Sequence, residues 1–153
     1  MNIDIIAVGK IKKKYIKDGI EEYQKRLSLF CNLSIIETKE VNSFDSNKNM
    51  NTEGELILNK IKDDDFVVTL EIEGNQLSSL DLSVFLSQKM TYGTSKIIFI
   101  IGGSNGLSSE VKKRRNYSIS FGKMTYPHQM MRMILTEQIY RAFMIQSNRE
   151  YHK

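Results

Sequence analysis

One cysteine, one proline and two histidines among 153 residues exclude more than they suggest. Cys31 has no second cysteine to pair with, so no disulfide closes within the chain, and usage this sparse points to a reducing compartment. Two histidines and one cysteine fall short of a conventional closed zinc site, and no metal is expected. Long apolar runs are also missing: stretches such as Ile97 to Ile101 stop far below the ~20 residues that a membrane-spanning helix needs. The N-terminus has an acid at position 4 and lysines after its apolar run, the reverse of a secretory signal. What remains is the composition of one globular domain, 1–153, with 41% hydrophobic and 26% charged residues and no repeat or linker to divide it.

The net charge of +4 conceals a division. Residues 1–110 carry 13 Lys and Arg against 16 Asp and Glu, whereas residues 111–153 carry 9 against 2. A basic C-terminal quarter attracts polyanions such as RNA through phosphate contacts and counterion release. A second basic cluster, Lys10, Lys12, Lys13, Lys14 and Lys17, lies near the N-terminus. Such runs also serve as plain solvated faces, so charge alone permits a nucleic-acid partner without establishing one.

Short β-rich runs alternate with helical periods. Strands are expected at Ile3 to Val8, Leu33 to Thr38, Phe66 to Ile72, Lys96 to Ile101 and Tyr117 to Phe121. Ile16, Ile20, Tyr23, Leu27 and Phe30 recur at helical spacing, and further helices are expected over about Thr52 to Ile61 and Ser79 to Tyr92, the latter stopped by Gly93. The asparagine-rich stretch 42–55 reads as a polar surface connection. Strand then helix repeats throughout, which predicts an α/β fold, a mostly parallel sheet with helices on both faces. In the last helix, Pro127 fits the first turn and apolar residues from Met130 to Ile145 surround most of the circumference. Burial on two sides is then expected, one against the sheet and one against a second copy, making a homodimer.

Three loops follow the C-terminal ends of the last three strands: Leu70 to Gly74, Gly102 to Gly106 and Phe121 to Tyr126. Open α/β sheets bind ligands at that edge. The Gly-Gly-Ser-Asn-Gly loop lets a ligand approach the backbone and opens a helix whose amides can face an acceptor, yet the same glycines suit a tight turn. It lacks the Lys-Ser/Thr of a P-loop and the spacing of a dinucleotide fingerprint. Cys31, at the end of a helical stripe, reads as a small core residue. His128 and Arg132 lie one turn apart on the last helix, and Glu137 with Arg141 forms an i,i+4 pair that either closes within the helix or projects into a site. Tyr151, His152 and Lys153 end the chain, where fraying is the ordinary fate.

Taken in order, the segments Val67 to Gly74, Phe99 to Leu107, Ser120 to Arg132, Glu137 to Ala142 and the closing Tyr-His-Lys resemble the RlmH family, and Ile6 to Tyr15 resembles its opening. The resemblance covers essentially the whole chain. It implies a SPOUT-class, S-adenosylmethionine (SAM)-dependent methyltransferase acting on N3 of a pseudouridine in 23S ribosomal RNA of the assembled ribosome. A C-terminal trefoil knot, a homodimer and a cytoplasmic location come with the family. The implied cofactor residues are Leu70, Gly102, Phe121, Gly122, Lys123, Met124, Thr125 and Tyr126. On the substrate side, Tyr151 and His152 match the family's C-terminal signature and are expected at the target base. Arg132 and Arg141 are expected at phosphate or at the charge developing on the base. A direct methyl displacement needs no covalent enzyme nucleophile, consistent with the lack of a cysteine-histidine or serine-histidine pair. Two other readings stand beside this one: a non-catalytic ribosome-binding factor on the same fold, and a flavodoxin-like enzyme acting on a small molecule.

Overall fold

Five strands alternate with five helices along the chain. They are β1 (Asn2–Val8), α1 (Lys14–Leu27), β2 (Asn32–Thr38), α2 (Ser46–Leu58), β3 (Phe66–Gln76), α3 (Ser79–Thr91), β4 (Lys96–Ile101), α4 (Ser109–Arg114), β5 (Tyr117–Ser120) and α5 (His128–Gln146). This computed structural model describes residues 1–153. All four strand pairings are parallel, in the order β2-β1-β4-β3-β5.

Alternation along the central strands builds two cores. Ile3, Ile5, Ala7, Ile97, Phe99 and Ile101 face α1, α3 and α5, while Ile6, Val8, Ile98 and Ile100 face α2 and α4. Strands apolar on both faces are the signature of a sheet covered on both sides. Cys31 is buried in the first core, and burial pushes its thiol up to about 11, so it stays protonated and inert.

Several boundaries moved from their expected places. The stripe ending at Phe30 outruns its helix, because α1 stops at Leu27; Phe30 reaches the core from the following turn and stacks on Phe143 at 5.8 Å. The stretch expected as a surface connection is largely helix. Asp45 caps α2 by accepting from the Lys48 amide (3.1 Å), and Asn49, buried, exchanges bonds with the Ser43 backbone. Asparagine is a poor helix former, but a cap and a satisfied buried amide outweigh propensity here. Gly93, at φ +80°, does end α3: the Thr94 amide reaches back to the Lys89 carbonyl (2.9 Å). Pro127 is the residue before α5 rather than inside its first turn.

The apolar circumference of α5 also has an explanation different from the one expected. It lies across the sheet between α1 and α3, so its flanks are covered within the chain: Phe143 meets Phe30, Tyr140 meets Tyr23, and the Ala142 carbonyl accepts from Ser83. Its composition therefore does not require a second copy.

β3 is interrupted. Leu70 and Asn75 both pair with Ile119, so residues 71–74 leave the ladder and return. Ser120 Oγ donates to the Ile72 carbonyl (2.8 Å), and Asn75 Nδ2 donates to the Ser118 carbonyl (3.0 Å), fastening the excursion to β5. Gly74 makes the return possible: a Cβ there would lie 2.7 Å from the Ile119 carbonyl carbon and 2.9 Å from its oxygen. Gly74→Ala must displace β5 backbone, and overpacking of that kind costs roughly 2 kcal/mol, which in a domain of this size lowers the melting temperature by about 4 to 8 °C. Thermal denaturation checks this; an unchanged midpoint would show that the excursion tolerates a side chain.

Candidate active site

The strand order places β4, β3 and β5 side by side, so the loops after them gather at one rim. They enclose a cavity of about 660 Å³. Leu70, Ile72, Ile101, Leu107, Phe121, Met124, Tyr126 and Met131 provide its apolar wall, and Gly102, Gly103, Ser104, Gly106 and Gly122 bring backbone to its surface. That size and mixture suit a small-molecule ligand of a few ring systems. Seven of the eight expected cofactor residues border it: Leu70, Gly102, Phe121, Gly122, Met124, Thr125 and Tyr126. Lys123 does not; its side chain is exposed.

Close packing and backbone conformation each account for some of the cavity's glycines. At Gly102 a Cβ would lie 3.1 Å from Leu107 Cδ2 and 3.2 Å from the Gly106 carbonyl carbon, so a side chain there makes the loop give by a few tenths of an ångström. Gly122 has φ +98°, a left-handed turn with open space around it, and its amide donates to Ser120 Oγ (3.1 Å). The helix after the loop begins only at Ser109, and Ser108 Oγ accepts from the Val111 amide. Its first turn is thus capped within the chain, contrary to the idea that it offers amides to a ligand.

Beyond the expected cofactor residues, the cavity has neighbours of which sequence reasoning missed Met131 and Lys112. His128 and Met131 close it from α5, and Glu71, Glu73 and Lys112 line its outer side. Glu71 is held by Arg115 (3.4 Å) and Lys112 (4.0 Å). Behind the glycine loop, Glu53 is 1% exposed; one oxygen accepts from Asn105 Nδ2 (2.9 Å) and Oε2 has no partner. Burial raises its carboxyl above the usual range, opposed by the Asn105 bond. A raised folded pKa favours the neutral acid. Stability from this group is therefore present below its unfolded value and is lost as pH rises through the folded value. Glu53→Gln removes that loss, so its melting temperature should gain on the parent by about 2 to 4 °C between pH 4 and pH 8. An offset that does not grow with pH would contradict this.

The four residues expected at the substrate divide. Arg132 is fully buried: one terminal nitrogen donates to the Val8 carbonyl (2.6 Å), the other meets Glu37 at 3.4 Å, and Nε has no partner. It does not reach a phosphate or a base. It ties the end of β1 to α5, which corrects the expectation of a direct role. Arg141, Tyr151 and His152 do come together. The Tyr151 hydroxyl donates to Glu137 (3.0 Å) and lies 3.3 Å from that of Tyr23. Its ring meets Tyr140 edge-on at 4.9 Å and lies 4.8 Å from the Arg141 guanidinium. Arg141 also pairs with Glu137 and lies 3.4 Å from His152 Nδ1. The terminus is docked, not frayed. Burial first, then the bonds to Tyr23 and Glu137, push the Tyr151 phenol above its ordinary range, so it acts as a donor near neutral pH.

These two constellations stand apart within the chain. Met131 and Arg141 are ten helical residues apart, about 15 Å along α5. No residue of the tail borders the cavity.

The chain belongs to the SPOUT methyltransferases, a class with which a parallel sheet gathering its last three strands' loops around one such cavity agrees. The family model described as "Predicted SPOUT methyltransferase" matches residues 1–152. Within that class, similar proteins carry the name ribosomal RNA large subunit methyltransferase H. The proteins so named from Pediococcus pentosaceus, Carboxydothermus hydrogenoformans and Bacillus cereus are 56%, 51% and 50% identical to this chain over 159 aligned residues, covering all of each.

Proposed function

We propose that this protein methylates N3 of a pseudouridine in the 23S ribosomal RNA of the assembled ribosome, with SAM as donor. The observation that carries this reading is the convergence of Leu70, Gly102 and the 121–126 turn on one cavity, in a chain whose full-length relatives are named for ribosomal RNA methylation. Such a substrate belongs to the cytoplasm, and no helix here is long and apolar enough to cross a membrane.

The residues fit the donor. Leu70, Ile101, Phe121 and Met124 give an adenine ring apolar walls, while backbone at Gly102, Gly103 and 121–126 offers donors and acceptors for its edge and for a ribose. SAM, when bound, supplies a methyl group activated by its sulfonium. The chain's contribution is positioning and proton management. His152, beside Arg141, accepts or relays the N3 proton, as an imidazole nitrogen can. Arg141 stabilises negative charge on the base, and Tyr151, kept protonated, orients both through Glu137.

Because tail and cavity are separated within one chain, the active unit is taken to be a homodimer, the tail of one protomer completing the cavity of its partner. The exposed side chains of Ile72, Met124 and Tyr126 at the cavity mouth favour a cover of this kind. A C-terminal trefoil knot belongs to the same reading. Mass spectrometry of ribosomal RNA from cells lacking the protein tests the activity: an N3-methylated pseudouridine should vanish and return on complementation. Its persistence would overturn the assignment.

A further inference from the structure

The basic C-terminal quarter is largely committed to contacts within the chain. Lys112 and Arg115 hold Glu71, Lys113 pairs with Glu110, Arg114 bonds the carbonyls of Lys62, Asp63 and Asp65, Arg132 is buried, Arg141 pairs with Glu137, and Arg149 lies over Phe30. Only Lys123 and Lys153 are exposed there without a partner, whereas free positive charge is concentrated at the other end of the sequence. Lys10, Lys12, Lys13, Lys14 and Lys17 are all exposed, and among them only Lys14 has an ion pair, with Asp18 at 2.6 Å.

The backbone carrying these lysines is fixed beside the candidate active site. Gly9 ends β1 with φ +85°. The Ile11 amide donates to Glu37 Oε1 (3.0 Å) and the Lys12 amide to Gln129 Oε1 (2.8 Å). Gln129 follows His128, a wall of the cavity. Of the carboxylates beside this segment, Asp18 pairs with Lys14, and Glu37 is engaged by Ile11 and Arg132. Tyr15, 60% exposed within the same segment, offers a face on which a base can stack.

We infer that residues 10–17 form the phosphate-gripping surface for the RNA flanking the methylated nucleoside, contacts supplied by Lys10, Lys12, Lys13 and Lys17 rather than by the basic C-terminal quarter. This rests on the reading of the protein as a ribosomal RNA methyltransferase. Four phosphate contacts release counterions, each contributing about 0.7 to 0.9 to the slope of log affinity against log salt.

The test compares the wild-type protein with a variant carrying Lys10→Gln, Lys12→Gln, Lys13→Gln and Lys17→Gln, and with a second carrying arginine at the same four positions. Methylation of purified ribosomes and the salt dependence of binding to a protein-free fragment of the ribosomal RNA are measured, with SAM affinity as the control for folding. The glutamine variant should raise KM for ribosomes about tenfold or more and flatten the salt slope by about three, with kcat and SAM affinity within twofold. The arginine variant should restore KM and slope. An unchanged slope and KM would overturn the inference, as would a raised KM with an unchanged slope on the RNA fragment, which would assign the segment to a ribosomal protein. Absence of methylation by the wild-type protein would instead refute the activity on which the inference rests.

Discussion

Removal of Tyr151, His152 and Lys153 is expected to slow RNA methylation by about 100-fold or more while leaving SAM affinity within about twofold. Proton transfer by a positioned side chain commonly contributes 10²- to 10⁴-fold, and the truncation removes both the proposed acceptor and the residue that orients it. The cavity is untouched, because none of its walls comes from the tail. Stability should fall only modestly, since the losses are two hydroxyl contacts and the Tyr151 ring's packing on Tyr140 and Arg141. Turnover equal to that of the full chain would remove the tail from the mechanism.

Gly102→Val should produce the complementary defect, a loss of SAM binding. A side chain at this position begins 3.1 to 3.3 Å from Leu107 and the Gly106 backbone, and its branches must either open the loop or occupy the cavity. A cost of about 2 to 3 kcal/mol corresponds to roughly 30- to 150-fold in affinity. Circular dichroism and thermal denaturation separate this from unfolding. Mixing the two defective proteins adds a third result: if tails complete partner cavities, subunit exchange builds one intact site from a tail-less chain with a sound cavity and a Gly102→Val chain with a sound tail. Activity should then reappear. If each tail serves its own chain, the mixture stays inactive.

The sheet and its rim were legible in the sequence because they rest on local signals. Strings such as Ile97 to Ile101 tolerate burial on both faces, and the glycine loop announces close backbone approach wherever the strands are placed. What escaped prediction depends on partners remote in the chain. Arg132 looks like a solvent-facing cation until the Val8 carbonyl, 124 residues away, is known to need a donor. Tyr151 looks like a frayed end until Tyr23, 128 residues away, is found beside it. The start of α2 was hidden because Asn49 gains its burial from a bond to Ser43 in the preceding turn. Charge misled in a similar way: the count of basic residues after position 110 is correct, but the partners of Lys112, Arg114 and Arg115 lie on remote elements, and the unpaired surplus is concentrated at Lys10, Lys12, Lys13 and Lys17.

The account depends most directly on the cavity among the three rim loops being a methyl-donor pocket. Isothermal titration of SAM into the wild-type protein and into Gly102→Val, at equal chain concentration, tests that claim. The expected result is saturable binding at one site per wild-type chain, weakened by at least an order of magnitude in the variant. Absence of saturable heat from the wild-type protein, or equal affinity in the two, would contradict it and leave a non-catalytic RNA-binding factor as the better description.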